Sequence, residues 1–260
     1  MVVIGIIGGT GVYNPELLKD AEEKKIHTPY GDTSDLLTVG SYHGRKVIIV
    51  PRHGSKHTIN PSRVNYRANI YALKEMGVTH IIAPTAVGSL KEEYKPGDLV
   101  LVDQYINRTT GRKTTFYEGQ QVCHISNAEP FCPRLRQLLH AHAEQLKMPH
   151  HKTGTCIVME GPAFSTKAES NLYRSWSADI INMTTFPECV LAREMEMCYA
   201  AVGMVTDYDC WKDHAVTVDG ILDTMKKNNE RVKQLIASVI PNIPEERTCL
   251  CKDALRRALL

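Results

Sequence analysis

The sequence predicts one α/β domain with a mixed or parallel sheet covered by helices. Apolar runs of strand length alternate with segments of helical period, the run Ile81 to Leu90 reads as a buried strand, and neither repeats nor a low-complexity linker divide the 260 residues. A hydrophobic content of 43% is enough for a sizeable single core.

In chain order, Val2 to Gly8 and Lys46 to Val50 read as strands. Asn60-Pro61 supplies a cap and a first-turn proline for a helix to about Met76, with Gly77 as its stop. A strand opens at His80, and Asp98 to Ile106 is a further apolar run. Pro133 to Lys147 carries Leu135, Leu138, Leu139 and Leu146 at helical spacing, and Thr155 to Met159 is a strand. Thr166-x-x-Glu169 and Thr185-x-x-Glu188 each have the form of a capping box, with a short strand, Asp179 to Met183, between them. Tyr199 to Val205 is the next strand, and Val218 to Val239 closes the pattern as the last large helix.

A net charge of +2 gives no reason to expect nucleic acid or an anionic membrane as partner. With no targeting segment and no apolar stretch of membrane-spanning length, the expected location is the cytoplasm, the nucleus being the other compartment open to it. The eight cysteines include no CxxC pair and read as mostly reduced thiols. Cys249-Leu250-Cys251, with no His or Cys partner nearby, reads as chance spacing, and no metal is expected there or at His140-Ala141-His142 and His150-His151.

The candidate site is a set of strand ends. Gly8-Gly9-Thr10-Gly11 after the first strand lets the backbone approach a phosphate, with Thr10 as a hydroxyl donor. It does not complete GxGxxG, which argues against a nicotinamide-dependent oxidoreductase. Arg52 and His53 follow the second strand, and a guanidinium fork matches phosphate. Thr85-Ala86-Val87-Gly88-Ser89 ends the third, so Thr10, Arg52, His53, Thr85 and the amide of Ala86 can converge on one anion. Further on, Phe164-Ser165 precedes a helix and Met183-Thr184-Thr185 follows a strand. Phe164 can lie against a planar base or pack in the core. Asp207 and Asp209 end an apolar strand, where burial raises carboxylate pKa values and suits one of them to donate a proton; Asp209 also suits a helix cap.

The ordered set Gly-Gly-Thr-Gly, Arg-His-Gly, Thr-Ala-x-Gly-Ser, Glu-Gly-Pro-x-Phe-Ser, Asn-Met-Thr and Thr-Asp-Tyr-Asp-Cys-Trp resembles the trimeric purine nucleoside phosphorylases, specifically the S-methyl-5'-thioadenosine phosphorylase branch. The resemblance runs from about Ile4 to Leu222. It implies one domain over residues 1–260 with a partly barrel-like mixed sheet surrounded by helices, and phosphorolysis at C1' that releases adenine and 5-methylthioribose 1-phosphate. On this resemblance Thr10, Arg52, His53, Thr85, Ala86 and Thr184 hold phosphate, which is a co-substrate, and no cofactor is required. Met183 lies at the ribose, Asp207 bonds N7 and the 6-amino group, Asp209 and Ser165 assist at the base, and Phe164 packs on it. The 6-oxopurine enzymes place asparagine where Asp207 stands, so Asp207 favours adenine nucleosides over the broader purine specificity that is the alternative. Val218, Ile221 and Leu222 offer an apolar wall to a methylthio group. His124 resembles a histidine that closes the 5' pocket of a neighbouring subunit, which implies a homotrimer with shared sites. One departure is Ala163, where the branch commonly has arginine. A bland alternative is a binding protein of this fold that leaves the nucleoside intact.

Overall fold

The computed structural model describes residues 2–8, 18–212 and 218–260, with side chains in the last stretch from 224 onward. Its strands are β1 (Val3–Gly8), β2 (Lys19–Lys24), β3 (Leu37–Tyr42), β4 (Arg45–Pro51), β5 (His80–Ser89), β6 (Leu99–Leu101), β7 (Gln104–Arg108), β8 (His150–His151), β9 (Thr155–Met159), β10 (Ile180–Asn182) and β11 (Cys198–Tyr208). Among the described residues five α-helices accompany them: α1 (Tyr66–Glu75), α2 (Pro133–Gln145), α3 (Lys167–Ser175), α4 (Thr185–Glu194) and α5 (Val218–Val239).

All strands join one mixed sheet in the order β2-β3-β4-β1-β5-β10-β9-β7, with β11 on the other edge of β5, followed by β6 and β8. The sheet branches at β5 and returns on itself. One arm passes through β11 to β6 and the other through β10 and β9 to β7, while Val102-Asp103 joins β6 directly to β7. Val102 N donates to Ala201 O at 3.2 Å and Asp103 N to Gly154 O at 3.3 Å, stitching the ring that makes this part barrel-like. The apolar run from Asp98 to Ile106 is therefore two strands, because its halves pair with different neighbours.

Alternation along the central strands divides the core between the two faces of the sheet. Val3, Ile7, Ile48, Ile81, Ala83 and Tyr199 pack on one side with α1 and α4. Ile4, Ile6, Ile49, Ile82, Ala200 and Val202 pack on the other with α2 and α5.

Several helix starts differ from the sequence reading. Asn60-Pro61 begins only a 3-10 turn, Pro61–Arg63; α1 starts later, where the Asn65 side chain accepts from Ala68 N. Gly77, at φ +83°, is the expected stop. Thr166 and Glu169 form the expected reciprocal capping box on α3. Thr185 and Glu188 do not: Thr184 stands at the cap position without a capping bond from its side chain, Phe186 is extended, and Glu188 turns inward to Arg52. β2 carries the sequence Lys-Asp-Ala-Glu-Glu-Lys with almost no buried residue, a charged edge strand without apolar alternation to reveal it.

Candidate active site

The site forms where the sheet splits. β5 pairs with β1 only through Ile82 and with β10 only from Gly88, while β11 follows its other edge throughout. Residues Ala83 to Val87 thus face a gap between β1 and β10, and the Pro84 carbonyl points into it to accept from Arg52 Nη1 at 3.1 Å. Because N–H and C=O of alternate residues share an edge, the Ala86 amide points the same way as the Pro84 carbonyl. An interrupted ladder here gives what a buried strand cannot: backbone donors open to a ligand.

Hydroxyls line the same gap. Thr85 Oγ1 lies 3.2 Å from Thr184 Oγ1, and Asn182 Nδ2 donates to Thr85 Oγ1 at 3.3 Å. The Thr85 hydroxyl proton is directed at Ala86 O at 3.3 Å, a long bond that an anion in the gap can replace. The buried Asn182 Oδ1 has no partner among the described residues, and as an acceptor it can meet a protonated phosphate oxygen but not a bare anionic one.

Arg52 is only 2% exposed, and most of its fork is turned to protein. Nε and Nη2 donate to Glu188 at 2.7 and 2.9 Å, and Nη2 also reaches Ile7 O at 3.1 Å. Burial opposes the guanidinium charge, and the facing Glu188 carboxylate more than offsets this, so its pKa is raised. Glu188 in turn accepts from Tyr199 OH at 2.8 Å. Arg52 therefore enters the site as one half of a buried ion pair and not as a free fork; among the described residues Nη1 gives one of its two N–H bonds, to Pro84. His53 Nδ1 donates to Ile59 O at 2.9 Å, which leaves Nε2 as the acceptor of a neutral ring. Burial, reinforced by the Arg52 charge, brings its pKa down to about 4.

The ribose side is organised by a residue that sequence reasoning missed. Arg112, with its side chain 2% exposed, donates to Met183 O at 2.7 Å, Phe186 O at 2.6 Å and Glu160 O at 2.8 Å, and pairs with the Glu160 carboxylate. It fastens the loop after β9 to the loop after β10, and lies over the Tyr66 ring. Gly161 takes φ +68°, a conformation that favours glycine, and a Cβ there would displace the Met183 side chain, whose Sδ would stand 2.5 Å away. No motif marks Arg112; its signal is an arginine in a loop with enough carbonyls in reach to bury it. Arg112→Lys keeps the charge but cannot span these acceptors, and kcat/KM for a nucleoside should fall about 100-fold, mainly through KM. Steady-state kinetics at saturating phosphate read this split.

At the far end of β11 a register shift between Val205 and Asp207 re-aims the strand. The Asp207 carboxyl comes to lie over Gly88, whose missing side chain leaves it room. Burial pushes the Asp207 pKa up to about 6, against the lowering bond from Thr206 Oγ1, and neighbouring Asp209 adds to the rise. Asp209 is 4% exposed and its amide donates to Ser89 O, so it is seated against β5 and does not cap a helix. Burial raises its pKa too, while the Ser170 and Ser165 hydroxyls work the other way. Phe164 is 49% exposed, which excludes the core role that the sequence left open.

The structure thus brings together Arg52, Thr85, Ala86 and Thr184 around one gap, with His53 next to Arg52, and sets Asp207, Asp209 and Ser165 around the end of β11. Thr10 and the side chains of Val218, Ile221 and Leu222 lie outside the described residues. His124 is exposed on a segment tied to the C-terminus: its amide donates to Ala258 O at 2.7 Å and Cys123 bridges Leu259.

A model of the phosphorylase superfamily matches residues 3–241. S-methyl-5'-thioadenosine phosphorylase of Thermofilum pendens is 54% identical, covering 100% of this chain and 99% of its own. The enzyme of that name from Danio rerio is 50% identical over 93% of this chain and 89% of its own. Among solved structures, methylthioadenosine phosphorylase from Schistosoma mansoni in complex with adenine superposes with a TM-score of 0.93 at 38% identity, covering 98% of this chain and 96% of its own. One sourced from an antarctic soil metagenomic library gives 0.94 at 41%, covering 100% and 92%. Matched along almost its whole length in sequence and in fold, the chain belongs to the phosphorylase superfamily, among the S-methyl-5'-thioadenosine phosphorylases.

Proposed function

We propose that this chain catalyses the reversible phosphorolysis of S-methyl-5'-thioadenosine to adenine and 5-methylthioribose 1-phosphate. The observation that carries the reading is a half-buried carboxyl, Asp207, on the same β5–β11 ladder as Thr85, whose hydroxyl meets that of Thr184 in an anion cup. Such a pair of sites suits a reaction in which an anion attacks one end of a glycosidic bond while the base leaves from the other.

Phosphate sits in the gap beside Thr85, Thr184, the Ala86 amide and Arg52, with Thr10 as a further hydroxyl donor. Held there, it is a positioned nucleophile, and its charge stabilises the oxocarbenium ion that grows on C1' as the bond to the base breaks. Neutral His53 accepts from a protonated phosphate oxygen through Nε2. Met183, fixed by Arg112, supports the ribose. Protonated Asp207 donates to N7 of the departing adenine while its carbonyl side accepts from the 6-amino group, and Asp209 and Ser165 hold the carboxyl and base in register. Phosphate is consumed as a substrate, and none of these steps needs a cofactor. A broader purine specificity is the second reading, and Asp207 disfavours 6-oxopurines because their O6 is an acceptor. Incubation with S-methyl-5'-thioadenosine is expected to release adenine only when phosphate is present; release without phosphate, or retention of the intact nucleoside, would refute the proposal.

The working assembly is a homotrimer in which His124 and the C-terminal leucines complete a neighbour's 5' pocket. Supporting this, Val122 beside His124 and Leu259 and Leu260 at the C-terminus are exposed on two stretches that pair, with Leu260 N bonded to Val122 O. Deleting Leu259-Leu260 should leave adenine release intact but raise KM for S-methyl-5'-thioadenosine about 10-fold or more, the effect of one lost leucine contact. Sedimentation and kinetics on the truncated chain check both halves.

A further inference from the structure

Away from the candidate active site, four cysteines from three distant stretches meet in the core between α2, β11 and the C-terminal segment. Cys132 precedes α2, Cys198 opens β11, and Cys249 and Cys251 flank Leu250 at the start of a 3-10 turn, Leu250–Asp253. Their sulphurs all lie within 4.8 Å of one another, and the residues are 1%, 0%, 7% and 4% exposed. The sequence reading of Cys249-Leu250-Cys251 as chance spacing without partners is thus corrected: the partners arrive from positions 132 and 198, which only the fold can show.

We infer that these four thiolates form a tetrahedral site for a thiophilic divalent cation, zinc by its ligand chemistry. Zinc–sulphur bonds of about 2.3 Å at tetrahedral angles separate the sulphurs by about 3.8 Å, so little movement is needed from the present cluster. Every sulphur is a neighbour of the other three, as one shared centre demands. A surface groove lined by His80, Cys132, Arg134, Glu246, Arg247 and Cys249 offers an entry path; its two arginines outnumber its one carboxylate, a balance that favours the charge of minus two on a zinc tetrathiolate. On binding, four S–H bonds break, four protons pass to solvent and four sulphur–metal bonds form, with no change of oxidation state.

The metal would staple residues 249–260 to the sheet, and with them the bridge from Leu259 to Cys123. The test is metal analysis of the untagged full chain from zinc-supplemented cells, purified without chelator. One zinc per chain is expected, lost in Cys249→Ser and Cys251→Ser, with a lower Tm in the metal-free protein. Because those variants can fail to fold, the reduced metal-free wild type is also titrated with Co2+. Sulphur-to-cobalt charge transfer with tetrahedral absorption at one equivalent supports the site. Four freely alkylated thiols with no bound metal, or two disulfides among these cysteines, would overturn it.

Discussion

Asp207→Asn is expected to lower kcat/KM for S-methyl-5'-thioadenosine by about 100- to 10,000-fold, the usual contribution of a positioned proton donor. Asparagine keeps the shape of the side chain but offers no transferable proton to N7. The variant should also shift relative preference toward 6-oxopurine nucleosides; an unchanged ratio would mean that residue 207 does not touch the base. The sign of the pH effect follows from the environment. Burial raises the carboxyl from 3.8 to about 6, so the proton is held below about 6 and lost above it. The ratio of wild-type to variant kcat/KM should therefore fall as pH rises through about 6, and taking the ratio cancels the ionisation of phosphate itself. Stability moves with the same group: ionising it costs more in the fold than in the unfolded chain, so wild-type stability declines between 3.8 and about 6. A Tm advantage for the variant should appear above this window and vanish below it.

Glu188→Gln is expected to be the most damaging conservative change to stability. Glu188 is 1% exposed and is the carboxylate that faces buried Arg52, so its loss strands a guanidinium away from water. Removing one partner of a buried ion pair costs about 3–5 kcal/mol, which for a domain of this size is roughly 10 °C in Tm. Replacing both members by methionine should recover much of that stability, since burying both charges is itself costly. It should not recover phosphate binding. Thermal melts of the wild type and the two variants, with phosphate KM for those that fold, separate the two roles. A double variant with wild-type phosphate KM would mean that Arg52 serves the core alone.

The sequence made the strand ends legible because a long apolar run stopping at Thr85-Ala86-Val87-Gly88-Ser89 is a local pattern, and Asp207 was legible for the same reason. What lay hidden depends on contacts between distant stretches. Arg52 looked like a free anion fork because its partner stands 136 positions away, inside what resembled a capping box. Arg112 has no motif, and its role appears only when the loops at 160 and 183 are brought together. The same holds for the cysteines at 132, 198, 249 and 251. β2 escaped notice because an edge strand open to water needs no apolar alternation.

Comparing kcat/KM for S-methyl-5'-thioadenosine, adenosine and inosine at saturating phosphate tests the central claim most directly. S-methyl-5'-thioadenosine should be the best substrate. Adenosine should be weaker, because its 5'-hydroxyl would be buried without a partner, and inosine should be far weaker, because its 6-oxo group meets Asp207. Inosine turning over as fast as S-methyl-5'-thioadenosine would contradict the assignment of Asp207 and, with it, the proposed substrate.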